Sequence, residues 1–224
     1  MDEDQPAPGL RERKKLRTRQ AISDIATELF ARRGFEAVTV AEIAAAAEVS
    51  VGTVFNYFPA KEDLFFDRAD ELLDRLRTTI EERPCGQTIL GAVDALLRPT
   101  VAPVPGFTWA ALEDPEMSRR FVAFRRTLAG SPALRARRLV IAEDWTAALQ
   151  ETIARDLGLR PDDPRAVGLA ATLGAALDAR ERTLGQAVLA GRAPRTVRRQ
   201  VHAVMDETFG RAARAFADVD RPRP

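Results

Sequence analysis

The chain has 224 residues, with 34 Lys and Arg against 33 Asp and Glu, and a formal net charge of +1 at pH 7. That length suits one small domain joined to a larger one, and the near-neutral charge leaves any case for nucleic acid to rest on where the charges lie. A single cysteine, Cys85, excludes an internal disulfide and a zinc knuckle; with one His and one Tyr, no metal-ligand spacing and no glycine-rich phosphate loop, the sequence offers no catalytic constellation, metal site or cofactor site.

Residues 1–10 are acidic and proline-bearing, lack apolar periodicity, and are expected to form a disordered tail. They contain no apolar core of a signal peptide. The longest uncharged run, Pro99 to Leu112, is 14 residues and interrupted by prolines, too short for a membrane span. A soluble, cytoplasmic protein is expected. Charge is concentrated between Arg11 and Arg19, where six basic residues face the single Glu12. The three lysines of the chain are Lys14, Lys15 and Lys61. By itself such a run reads equally as a solvated helix start. From about Leu16 to Arg33, Ile22, Ile25, Ala26, Leu29 and Phe30 recur at helical spacing, and Gly34 stops the helix before Phe35 and Val38 turn the corner.

The stretch Thr39 to Lys61, TVAEIAAAAEVSVGTVFNYFPAK, organises the rest. Thr39 and Glu42 make a capping box that starts a helix at Val40. Four consecutive alanines keep that helix slim, and it stops near Glu48. Ser50 is an N-cap for a second short helix from Val51 to about Phe58, ended by Pro59. On it Val54, Phe55 and Phe58 are expected to bury. Val51, Gly52, Thr53, Asn56 and Tyr57 are left outside on a face without any charge, which suits a DNA major groove better than water. Val51 or the Thr53 methyl can meet a thymine methyl, the Thr53 hydroxyl and Asn56 amide can bond base edges, and Gly52 lets backbone come close. An amphipathic helix with incidental small residues is the plainer alternative.

The block GFEAVTVAEIAAAAEVSVGTVFNYFPAKEDLF, Gly34 to Phe65, closely resembles the N-terminal domain of TetR-family transcriptional regulators, in its Gly-Thr pair, its aromatic-rich FNYF and its F-P-x-K-E-x-L ending. The resemblance covers roughly Lys14 to Phe66. It implies an all-α fold: a three-helix helix-turn-helix DNA-binding domain over 11–66, then a larger helical effector-binding and dimerisation domain over 67–218. Residues 219–224 are expected to be a second disordered tail. It places Val51, Gly52, Thr53 and Asn56 where family members approach bases, and Thr39, Tyr57 and Lys61 where they grip phosphate. Tyr57 stands where the family often carries His. Lys14 and Arg17 of the basic run, and Ser50, join the expected phosphate set.

After Pro59 a single long helix is expected to run from Glu62 to Pro84, followed by helices over Gln87–Leu97, a short piece near Trp109, Glu116–Ala129, Pro132–Leu157, Pro164–Leu189 and Pro194–Phe216. The last two begin with a proline. The resemblance implies a small-molecule effector in the body, and Phe107, Trp109, Phe121, Phe124 and Trp145 with Asp178 are its candidate pocket, although aromatics at helical spacing are more often plain core. The helix from Pro164 is crowded with small residues. Ala170, Ala171, Gly174 and Leu177, with Val201 on the next helix, are the candidate homodimer interface, or else a close contact within one chain. The function expected is a homodimeric repressor of transcription that binds a palindromic double-stranded DNA operator and is released by a small-molecule effector. A sequence-tolerant DNA-coating protein without effector response is the alternative, and the large body argues against it.

Overall fold

The computed structural model describes residues 9–102 and 107–223, so residues 1–8 of the expected N-terminal tail lie outside the described residues, while Leu10 at its end is already helical. Among the described residues the fold is all-α: ten helices, no strand, and one isolated antiparallel bridge between Thr100 and Thr108. The chain divides into two compact units, one ending at Asp67 and the other beginning at Arg68. No helix among the described residues is long and apolar enough to cross a membrane.

The first unit, the head, contains α1 (Leu10–Arg33), α2 (Val40–Ala46), α3 (Val51–Tyr57) and α4 (Lys61–Phe65). α1 starts at Leu10, earlier than the apolar periodicity predicts, so the basic run is helical and Arg11, Arg13, Lys14, Lys15 and Arg17 stand exposed on it. Cations in the first turns oppose the helix dipole. Gly34, at φ 80, donates its N–H to the Phe30 carbonyl at 2.9 Å and turns the chain out of α1, a left-handed conformation that suits glycine. Ile22, Phe30, Val38, Ile43, Val54, Phe58 and Leu64 are all essentially without exposure and make up the head's core. Burial of each such side chain stabilises by roughly 1.5–3 kcal/mol.

The long helix expected after Pro59 is in fact two. α4 ends at Phe65 and α5 (Ala69–Glu81) begins after a break. The cause lies in α1: Arg19 donates to the Asp67 carbonyl at 2.8 Å and the Ser23 hydroxyl bonds the Asp67 carboxylate. A continuous helix would offer that carbonyl to an amide four residues on. Periodicity carries no sign of this competition.

The second unit, the body, contains α5, α6 (Ile89–Leu97), a 3-10 turn at Ala111–Glu113, α7 (Pro115–Gly130), α8 (Pro132–Asp156), α9 (Pro164–Leu189) and α10 (Pro194–Ala215). The last four helices each open on a proline, which has no N–H to leave unpaired. Three of them are capped in addition by Asp114, Ser131 and Asp163. α9 is the central element, packed on α7, α8 and α10 with Leu169, Leu173 and Leu184 fully buried.

The end of the chain corrects the expectation of a second tail. Asp220 is buried, and its carboxylate accepts from the Ile89 and Leu90 amides at 2.6 and 3.0 Å, while Thr88 takes the Gly91 amide. The orphan donors at the start of α6 are thus satisfied from 130 residues away. Arg223 completes the seal, its backbone exchanging bonds with Gly86 and Gln87 and its guanidinium donating to the Glu81 carbonyl at 2.6 Å.

Candidate nucleic-acid interface

The turn between α2 and α3 is set by three local devices. Thr39 and Glu42 form the expected box: the Glu42 amide donates to the Thr39 hydroxyl at 3.2 Å, and the Thr39 amide and hydroxyl donate back to the Glu42 carboxylate at 2.8 and 2.9 Å. Arg33 adds an ion pair to the same carboxylate at 2.8 Å. Hydrogen bonds from the Thr39 backbone, then from Arg33 and the Thr39 hydroxyl, hold the Glu42 carboxyl down to about 2. Glu48 then takes a left-handed φ of 54, the Val49 amide returns to the Ala44 carbonyl, and Ser50 caps α3 through the Thr53 amide at 3.0 Å.

This geometry presents α3 with Val51, Gly52, Phe55 and Asn56 exposed and Thr53 and Tyr57 half-buried. Val54 and Phe58, four residues apart, are the anchors at 1% exposure. Phe55 departs from the expected burial. It lies about 100° round the helix from Val54, and a helix of seven residues buries one stripe only. At 46% exposure it joins the outer, uncharged face. The signal that would have found it is this angular offset, which places Phe55 beside Gly52 and Asn56.

Hydroxyl bookkeeping divides the polar candidates. Ser50 and Thr53 share a hydrogen bond at 2.8 Å in which either can donate, so one of the two hydroxyl hydrogens is left for an outside acceptor. Thr39 has a single hydroxyl hydrogen and gives it to Glu42. Lys61 is turned inward: its ammonium donates to the Phe35 carbonyl at 2.6 Å and lies 4.1 Å from the centre of the Phe35 ring. Burial pushes the lysine below its ordinary range, against the pull of Glu36, Glu62 and Glu42. Arg19 is likewise structural, stacked 4.7 Å over the Phe58 ring, which ties α1 to the end of α3. Lys14 and Arg17 are exposed on α1.

A short helix with an uncharged outer face, set by a capped turn beside a helix with a basic start, is the arrangement of a helix-turn-helix DNA reader. Residues 22–67 match the family model described as bacterial regulatory proteins, tetR family. The chain is 32% identical over 156 residues to the HTH-type transcriptional regulator TcmR of Streptomyces glaucescens, a match spanning 70% of this chain and 67% of that protein. The chain belongs to the TetR family. It is a transcriptional regulator of that family. The HTH-type transcriptional regulator LuxR of Vibrio harveyi is 49% identical over 61 residues, 27% of this chain and 28% of that protein. A solved TetR transcriptional regulator from Rhodococcus sp. RHA1 is 17% identical, with 88% of this chain and 98% of that one covered and a TM-score of 0.48.

In the body of this TetR-family chain the expected pocket residues do not converge. Trp109 is buried, donating its indole N–H to the Arg98 carbonyl at 2.8 Å and meeting His202 edge-on at 5.7 Å, so it is core. Asp178 is engaged by Arg138 and Arg182 at 2.9 and 3.0 Å. Phe107, Phe124 and Trp145 are half-buried. Phe121 lines a hollow of about 160 Å³ walled also by Leu112, Val122, Val188 and Val197, with Ser118 and Arg192 as its polar wall. Among the described residues no cluster of three or more His, Cys, Asp or Glu could hold a metal ion.

The candidate dimer residues are largely spent inside the chain. Ala170 and Val201 have no exposure, and Leu177 packs half-buried on the body's core. Gly174 sits so near α8 that a Cβ there would stand 2.6 Å from Thr146 Oγ1. Gly174 faces Thr146 on α8 and Gly168 faces Phe216, contacts within one chain. Ala171 is exposed.

Proposed function

We propose that this TetR-family regulator acts as a homodimeric repressor that reads a palindromic operator and releases it when a small molecule binds the body. The observation that carries the reading is the outer face of α3, where Val51, Gly52, Phe55 and Asn56 are exposed without a charge among them. A solvated helix face gains from charge, whereas a major-groove face gains from methyl, amide and hydroxyl groups that match base edges. Asn56 is assigned to hydrogen-bond an adenine edge, Val51 and Phe55 to meet thymine methyls, and Gly52 to admit the backbone. Lys14, Arg17 and Tyr57 neutralise or bond phosphate, and the spare hydroxyl of the Ser50–Thr53 pair adds one contact. Thr39 and Lys61 hold the head in shape.

Seven residues of recognition helix give little discrimination alone, and two copies on symmetric half-sites multiply it. The second copy docks on exposed faces of the body, Ala171 among them. A coupling of about 1–3 kcal/mol between ligand and DNA would weaken operator binding about 5- to 150-fold.

The test is selection of bound duplexes from a random pool at near-physiological salt, followed by sequencing. A two-fold symmetric consensus is expected. A pool that stays random despite binding overturns the reading in favour of a DNA-coating protein.

A further inference from the structure

The body holds a second feature that its packing does not explain. Two arginines, Arg125 on α7 and Arg180 on α9, are buried at 8% and 2% exposure, and Arg180 is the largest fully buried side chain among the described residues. One carboxylate serves both: Glu181 accepts from Arg125 at 2.8 Å and from Arg180 at 3.0 Å. The nearest other acid on α9, Asp178, is engaged by Arg138 and Arg182. The interior therefore carries two guanidinium charges against one carboxylate. Moreover, the Nε–H of both Arg125 and Arg180 is buried without an acceptor among the described residues. Buried donors are rarely left so.

Arg125 reaches the cavity through Phe121, and the cavity's largely apolar wall also carries Ser118 and Arg192. Phe121 and Arg125 are one turn apart on α7, and the Arg125 guanidinium lies 5.1 Å over the Phe121 ring. On α9, Arg180, Leu184 and Val188 follow the same i, i+4, i+8 stripe. Gly185 lies beside this contact, where a Cβ would stand at ordinary van der Waals distance, 3.7 Å, from the Arg125 guanidinium. Thus α7 and α9 run antiparallel, with Phe121 and Val188 in the cavity wall and the arginine pair beyond that wall, one turn further along α7 and two turns back along α9. An apolar hollow with a few convergent polar groups is the usual form of a small-molecule site.

We propose that Arg125 and Arg180 are the anion-recognising end of the body's ligand site, and that its ligand is an organic acid whose apolar part lies against Phe121. This rests on the reading of the body as effector-binding and adds the chemical class of effector. A carboxylate or similar oxyanion supplies the missing acceptors and balances the excess positive charge, whereas a neutral molecule of equal shape does neither. Burial lowers the pKa of Arg180, and Arg125 and Arg180 keep the half-exposed Glu181 carboxyl below the ordinary carboxylate range against the desolvation that raises it, which agrees with a site of net positive potential.

The experiment is calorimetric titration of the full chain with naphthoate and with naphthamide, its uncharged near-isostere. Naphthoate is expected to bind at one per chain and about 10- to 100-fold more tightly than the amide, the range for a hydrogen bond to a charged group. In Arg125→Met that preference should vanish while naphthamide affinity holds, and Arg125→Lys should restore part of it. Arg180 also ties the Thr100 and Val101 carbonyls at 2.6 and 3.0 Å, so Arg180→Met is the second variant, used once its circular dichroism matches the parent. Equal binding of the two probes, no saturable naphthoate binding, or a naphthoate preference that survives in Arg125→Met overturns the proposal. Release of operator DNA is measured separately. Charge-selective binding with unchanged DNA affinity would sink the ligand-responsive reading and leave the anion site standing.

Discussion

Lys61 donates its ammonium to the carbonyl of Phe35 at 2.6 Å and lies against that residue's ring, so a side chain that the family pattern assigns to phosphate is a strut between α4 and the end of α1's corner. Lys61→Met removes a hydrogen bond from a charged group and leaves the Phe35 carbonyl only the long 3.4 Å bond from the Val38 amide. A loss of about 1–2 kcal/mol in the head's stability is expected, read as weaker hydrogen-exchange protection of α1 and α2 amides. The slope of log affinity for DNA against log salt should stay unchanged. A slope lower by about 1 with stability intact would mean that Lys61 is a phosphate contact after all.

Asn56 and Phe55 share the outer face of α3 yet should fail differently. Asn56→Ala removes a bidentate partner for a base edge, and the preferred sequence should lose about 1–3 kcal/mol of its advantage over a mismatched one. Phe55→Ala removes an apolar contact of about 1 kcal/mol, roughly fivefold in Kd. Because Phe55 is half exposed, thermal stability should move little. If Phe55→Ala lowered the melting temperature sharply, the side chain would be a core anchor, as its sequence context first implies. Competition binding between matched and mismatched duplexes separates the two variants.

Glu42 offers a titration that reports the turn itself. Its carboxyl is held at about 2 by the Thr39 amide, Arg33 and the Thr39 hydroxyl. The unfolded chain binds that proton more tightly than the folded one, so the contribution is fully present above the ordinary glutamate value near 4.5 and is lost as pH falls towards about 2. The carboxyl-carbon resonance of Glu42 should titrate near 2 in the parent and move upward in Arg33→Met and in Thr39→Val. A parent value near 4.5 would mean that the box does not form in solution.

How much of this was legible beforehand depends on the range of each interaction. The capping box, the Ser50 cap, the Gly34 stop and the proline starts of α9 and α10 involve neighbours within a few residues, and the sequence shows them directly. What it hid is carried by partners far along the chain. Arg19 and Ser23 break the helix at Asp67, Asp220 caps α6, and Arg180 reaches the Thr100 carbonyl. No periodicity encodes such pairings. The small residues of α9 were visible but ambiguous, because close approach to a second chain and close approach to α8 need the same side chains.

Gly174 resolves that ambiguity by experiment. A methyl group there would stand 2.6 Å from Thr146 Oγ1, and Thr146 is β-branched and held by its own bond to the Ala142 carbonyl at 2.9 Å, so it does not swing away freely. Gly174→Ala should therefore push α8 from α9 and cost about 1–3 kcal/mol of the body's stability, the usual range for overpacking. A helix interior otherwise gains from Gly→Ala, by about 1 kcal/mol, so the sign itself is informative. Adding Thr146→Ala to Gly174→Ala should recover most of the loss, which denaturant unfolding of the two variants measures. If Gly174→Ala instead leaves the unfolding midpoint unchanged and weakens association between chains, with no rescue from Thr146→Ala, the glycine belongs to an interface between copies and not to the crossing of α8.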